Sequence, residues 1–146
     1  MKLTEVSYFA ANWREEQSRV NRDNRYFAAE HDKILMWGRM PELYYFSERL
    51  PASRFITCNF VVGMTTYNYL DPNASTKNAG FAPALDWLLS DLVKNRPRII
   101  IDSAPANIRQ YGKYPISSFP GVRDFVRQNY HLATTILNVQ IYEATF

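Results

Sequence analysis

Two short runs constrain the fold of this chain more than anything else in it: "KILMW" at 33–37 and "RIIID" at 98–102. A strand with one face in water alternates apolar and polar residues. A strand that is apolar at successive positions must be covered on both faces, so a sheet containing these two runs needs layers of structure above and below it. Helical periodicity supplies candidates for those layers. Phe81, Leu85, Leu88 and Leu92 recur at steps of four, three and four, which predicts an amphipathic helix ending before Pro97. A second helix is expected from about Ser118 to Tyr130, with Pro120 in its first turn and Val122, Phe125 and Val126 facing inward. Between "KILMW" and Pro51, Gly38 turns the chain and Pro41 and Glu42 suit the first turn of a short helix through "ELYYFSERL".

The remaining segments complete the expected architecture. Phe9, Trp13, Val20 and Phe27 form a narrow apolar stripe among charges, predicting a long N-terminal helix over 7–31. "RFITCNF" is rich in β-branched and aromatic residues and predicts a strand over 55–60. Residues 61–80 and 103–117 are rich in turn formers and are expected as long loops after strands. Two strand-like runs, 131–137 and 139–143, flank Leu137 and Asn138 as an antiparallel hairpin. Helices alternating with apolar strands predict an α/β fold: a small three-layer Rossmann-like sandwich, its sheet mostly parallel with a C-terminal antiparallel hairpin. The length of 146 residues fits a single α/β domain over 32–146 with residues 1–31 leading into it.

Composition excludes several classes. A net charge of +3, with no basic run interleaved with aromatics, gives no groove for nucleic acid. Cys58 is the only cysteine, which rules out an internal disulfide and a CxxC site. His31 and His131 are the only histidines and have no metal-ligand spacing, so no metal is expected. Ser47, Ser117 and Ser118 lack the G-x-S-x-G context of a nucleophile elbow. The first strand-to-helix turn, "WGRMPE", has one glycine where a dinucleotide cradle needs three, so no nucleotide cofactor is expected.

In an open α/β sheet, ligands bind at the carboxyl ends of the strands, and this rim supplies the candidate binding residues. They are Arg39 at the first turn, Asp102 at the end of "RIIID", and the loop tyrosines Tyr67, Tyr69, Tyr111 and Tyr114, whose amphipathic rings suit a carbohydrate-stacking or membrane-interface surface or serve as loop anchors. Asp102 has two readings, a carboxylate in a site or an acceptor for the N–H groups of the loop that follows. An aspartyl-phosphate nucleophile is excluded because Ala104 stands where a second Asp is required. Arg39, Arg49 and Arg54 either clamp an anion or, for the last two, pair with Glu42 or Glu48.

The order of "ILMWGRMPELYYFSERLPASRF", "LLSDLVKNRPRIIIDSAP" and "FPGVRDFVRQNYHLATTILNVQIYEA" resembles the soluble C-terminal domain of bacterial membrane glycosyltransferases similar to dolichyl-phosphate-mannose protein mannosyltransferases. The resemblance runs from about Asp32 to Ala144. It rests most on W-G-x-x-P-E-L-Y, carried by Trp37, Gly38, Pro41, Glu42, Leu43 and Tyr44, and on P-A-S-R at Pro51 to Arg54. It implies an extracytoplasmic domain, periplasmic or at the cell surface, following a multi-spanning membrane part of the same polypeptide. That part carries the chemistry and uses a polyprenyl-phosphate sugar, leaving this domain an accessory or acceptor-recognition role toward a glycan or protein, with no catalytic residue of its own. Two rivals remain: a free-standing α/β enzyme using Asp102 with His131, and a plain interaction module.

Overall fold

The computed structural model describes residues 32–64, 73 and 80–146, together with Ala11, Asn12 and Glu15. The expected helix over 7–31 falls outside the described residues apart from those three, and among the described residues there is no long N-terminal helix. A four-stranded sheet organises the rest: β1 (Ile34–Trp37), β2 (Ile99–Asp102), β3 (Tyr130–Ile136) and β4 (Val139–Ala144), in the order β1-β2-β4-β3. Among the described residues four α-helices accompany it, α1 (Glu42–Ser47), α2 (Asn59–Val62), α3 (Ala84–Asn95) and α4 (Pro120–Asn129), with two short 3-10 turns at Ile108–Lys113 and Ile116–Ser118.

The apolar runs form β1, at one end of the sheet, and β2, inside it, and every residue of both strands is buried, as their composition demands. Leu35, Trp37 and Ile100 face a core built with Leu88 and Leu92 of α3 and Val122 and Val126 of α4. Ile34, Met36, Ile99 and Ile101 face the other way, onto Leu43 and Tyr44 of α1 and Val139 and Ile141 of β4. Each fully buried side chain of this kind contributes about 1.5–3 kcal/mol. The chain is therefore α/β with both sheet faces covered.

The sheet is not mostly parallel, which corrects the sequence expectation. Only β1 and β2 pair in parallel; β2 pairs antiparallel with β4, and β4 with β3. The hairpin is inserted with its second strand next to β2, because "VQIYEA" carries apolar residues on both faces while β3 is mostly exposed and suits an edge. Its two-residue turn places Leu137 and Asn138 at φ of 49° and 65°, the left-handed pair that a tight hairpin requires.

The expected strand at 55–60 is absent as well. Ile34 donates to Leu50 O and Ala52 to Ile34 O, so the chain passes beside β1 for a single bridge at Pro51. Side chains then take the N–H groups that a ladder would need. Phe55 N donates to Ser53 Oγ at 2.8 Å and Arg54 N to Asp91 Oδ2 at 2.9 Å, drawing the backbone toward α3. Asp91 also accepts two hydrogen bonds from the Arg54 guanidinium, and this hydrogen bonding holds its carboxyl below the ordinary range. Arg54 thus pairs with Asp91, and Glu42 with Arg109 at 2.6 Å, in place of the expected pairing of Arg54 with Glu42 or Glu48.

The turn after β1 explains the missing glycines. Gly38 has φ 152°, and a Cβ there would lie 1.9 Å from Ser103 Oγ. Ser103 donates both its N–H (3.0 Å) and its Oγ (2.9 Å) to Trp37 O, while Cys58 N donates to Gly38 O. The space that a phosphate would occupy is filled by protein. Gly38→Ala should therefore destabilise the fold by on the order of 2 kcal/mol. The double variant Gly38→Ala with Ser103→Gly should recover part of that loss by removing the clash. Urea denaturation midpoints measure both; a Gly38→Ala protein as stable as the parent would refute the packing argument.

Candidate functional site

At the carboxyl end of β2 the chain does not stay on one rim. Residues 103–117 pass over the sheet edge from one face to the other: Ala106 and Ile108 pack on the α1 side, while Tyr111, Tyr114 and Ile116 join the core under α3 and α4. The reversal is made by three non-glycine residues at positive φ, Asn107 (50°), Arg109 (51°) and Gln110 (64°). Arg109 holds it, donating to Glu42 and, at 2.7 Å, to Arg39 O. Burial pushes the Glu42 carboxyl up, but the hydrogen bond and charge of Arg109 outweigh it and leave the group below its ordinary value.

This route decides the fate of the rim tyrosines. Tyr111 and Tyr114 are 0% and 4% exposed, in edge contact with each other at 5.3 Å, and belong to the core. Tyr111 OH donates to Asn59 Oδ1, and Trp37 Nε1 donates to Tyr114 O. Burial holds the Tyr111 phenol far above its ordinary value. Neither ring is offered to a ligand; they anchor the loop. Arg39 is half-buried beside them, its charge felt by Glu42 and Tyr111. Tyr67 and Tyr69 lie outside the described residues. The structure thus groups Arg39 with Tyr111 and Tyr114, and sets Asp102 apart from them.

Asp102 lines an open cleft of about 420 Å³ between the end of β2, the Ile116–Ser118 turn, α4 and β4. Its register partner in β4 is Gln140, so Asp102, Gln140 and Tyr142 project from one face of the sheet. Arg123 and Arg127, one helical turn apart on α4, form the opposite wall with Val126, and Tyr130 and Ser117 complete it. Asp102 is 4% exposed. Its Oδ1 accepts the N–H of Ala104 at 2.9 Å, the local turn expected for such an Asp, and its Oδ2 has no donor among the described residues. Burial raises its pKa to about 6, against the pull of that one hydrogen bond. Tyr142 OH donates to Gln140 Oε1 at 2.8 Å, which leaves the Gln140 amide N–H groups and the phenol oxygen to meet a ligand.

The pairing of Asp102 with His131 fails on geometry. His131 is paired with Glu143 across β3 and β4, its Nε2 3.9 Å from Glu143 Oε2, and both project from the face opposite to Asp102. A sheet separates the two groups, so they cannot exchange a proton. Among the described residues no group of three or more His, Cys, Asp or Glu could hold a metal. Ser47, Ser53 and Ser103 direct their hydroxyls to backbone carbonyls, and Cys58 Sγ to Met36 O. Cys58 is fully buried, which pushes its thiol up to about 12 and leaves it unreactive.

Sequence reasoning passed over Arg123, Arg127, Gln140 and Tyr142. The signals were present: two arginines at i and i+4 on one helix, and Gln140 and Tyr142 at i and i+2, hence on one face, of the last strand.

A buried carboxylate with one free oxygen is a cost to the fold, and its pH dependence shows the sign. Below about pH 4 the carboxyl is protonated in the folded and unfolded chain alike. As pH rises toward 6 the unfolded chain releases its proton first, so stability falls across this window and stays lowered above it. Asn at this position can still accept from Ala104 N without carrying a charge. Asp102→Asn should therefore raise stability at pH 8 by about 1–3 kcal/mol and leave it nearly unchanged at pH 4. Denaturation curves at the two pH values measure this, and a variant less stable than the parent at pH 8 would contradict it.

No protein-family model matches this chain, and neither does any curated protein or solved structure, so the site is read from its own chemistry.

Proposed function

We propose that this chain is the soluble, extracytoplasmic C-terminal domain of an integral-membrane glycosyltransferase that uses a polyprenyl-phosphate sugar, and that its role there is ligand recognition. The observation that carries the recognition role is the cleft beside Asp102. It offers a carboxylate oxygen, an amide, a phenol and two guanidinium groups around a partly apolar floor, a lining suited to a hydroxyl-rich molecule. Tyr142 and Tyr130 supply ring faces or edges for the C–H surface of a sugar.

The W-G-x-x-P-E-L-Y resemblance supports the family assignment, and its residues have a scaffold role here. Trp37 and Leu43 are in the core, Gly38 admits Ser103, Tyr44 OH accepts from Met36 N, and Glu42 anchors Arg109. Such a motif is kept for packing, with no phosphate to cradle. No described helix is long and apolar enough to cross a membrane, so the membrane part of this proposal belongs to sequence beyond the described residues. A plain interaction module is the second reading, favoured by the exposed side chains of Phe60, Phe81 and Trp87 around α2 and the start of α3.

Backbone amide NMR of the chain titrated with an oligosaccharide, and separately with a polyprenyl-phosphate-sugar analogue, tests the recognition role. Shifts are expected at Asp102, Ser117, Arg127, Gln140 and Tyr142. Shifts confined to Lys94–Pro97 at the opposite rim, or none with either ligand, would reject recognition at this cleft and favour the interaction module. The family assignment is tested separately: the native reading frame should encode a multi-spanning membrane segment before Met1, and a gene without one would overturn it.

A further inference from the structure

The cleft is bipolar, and this narrows what it takes. Its deepest polar group is an acceptor: Asp102 is 4% exposed, with Oδ2 unoccupied by any donor among the described residues. Donors stand further out, since Arg123 is half-buried and Arg127 is exposed. The two arginines differ in what they have left to offer. Arg123 Nε already donates to Asp124 Oδ1 at 2.8 Å, whereas Arg127 makes no hydrogen bond or ion pair with the described residues and acts on Asp124 only through its charge. The floor thus wants a hydroxyl donor, and the mouth has a guanidinium available for an anion. A ligand that presented its anion to the floor would meet the Asp102 carboxylate, so only one orientation satisfies both ends.

Resting on the reading of this cleft as the ligand site, we infer that it binds a sugar carrying an anionic group, with a sugar hydroxyl donating to Asp102 Oδ2 and the anion held by Arg127 at the mouth. Gln140 contributes amide donors to the ring hydroxyls, and Tyr142 lies alongside the ring. Arg127 sets the preference for charge; Asp102 sets the preference for a sugar over a bare anion. A phosphate ester and a uronate share this chemistry.

Isothermal titration with glucose 1-phosphate, glucuronate, methyl glucoside and inorganic phosphate tests the inference on the parent chain and on two variants. At least one of the two anionic sugars should bind about tenfold or more tighter than methyl glucoside, as expected for one charge-assisted contact, and the tighter of them names the anion. Inorganic phosphate, which has no sugar hydroxyls for the floor, should bind more weakly than the preferred anionic sugar. Arg127→Gln should abolish most of the preference for the anionic over the neutral sugar. Because Arg127 is exposed and makes no hydrogen bond or ion pair with the described residues, the variant should keep the parent's amide spectrum. Asp102→Asn should weaken the anionic and the neutral sugar by a similar factor and leave inorganic phosphate unaffected. Equal binding of methyl glucoside and both anionic sugars, or a charge preference that survives Arg127→Gln, would overturn the inference while leaving the cleft as a glycan site. Absence of binding by all four ligands would overturn the inference together with the recognition role of the cleft.

Discussion

The carbonyl of Trp37 accepts two hydrogen bonds from Ser103, one from its backbone and one from its hydroxyl, and the carboxyl rim of the sheet is arranged around that contact. It joins the ends of the two parallel strands, β1 and β2, where open α/β sheets usually leave a crevice. It is possible only because residue 38 has no Cβ. Closing this position removes the ordinary phosphate site between β1 and β2. The available opening moves one strand across, to the junction of β2 with the antiparallel β4, where Asp102 and Gln140 lie side by side.

The loop after Ser103 turns this closure into a shape. By folding over the edge of the sheet it seals both faces, with Ile108 on one and Tyr111 and Tyr114 on the other. Three non-glycine residues held at positive φ each carry a cost of about 1–3 kcal/mol, so the surrounding contacts must over-determine the path. Those contacts are visible. Arg109 bridges Glu42 and Arg39 O, Asn107 Oδ1 accepts from Gly112 N, and the two tyrosine rings meet edge to face in the core. The rigid loop then delivers Pro115, Ile116 and Ser117 to the side of the cleft.

Electrostatics separate the structural charges from the functional candidates. Arg54 with Asp91 and Arg109 with Glu42 lie partly in water, and each pair lowers the pKa of its carboxylate. Asp102 is different, because burial raises its pKa and no cation among the described residues is paired with it. A destabilised carboxylate facing a cleft is the pattern of a group kept for a ligand, since packing alone would favour a neutral residue there. Glu143 is also raised by burial, but His131 and Arg98 flank it and it is not among the residues lining the Asp102 cleft, so it belongs to the packing of β4 between its neighbours.

The sequence by itself determined the two buried strands, the helices of 84–95 and 120–129, and the C-terminal hairpin. Each is written in a local period or a turn signal that needs no distant partner: an unbroken apolar run, leucines at three and four, a Leu-Asn turn between strand-like segments. It also excluded a nucleotide cradle from the single glycine of "WGRMPE". Only the tertiary structure decided that "RFITCNF" is no strand, because Asp91, 37 residues away from Arg54, takes the N–H that a ladder would use. Tertiary structure likewise placed β4 beside β2, sank Tyr111 and Tyr114 into the core, and put Asp102 and His131 on opposite faces. The site was half legible for the same reason. Asp102 could be named from its place at the end of a strand, whereas Arg127 and Gln140 became its neighbours only when α4 and the hairpin packed against β2, and the registry between elements distant in sequence is set by packing that no local pattern encodes.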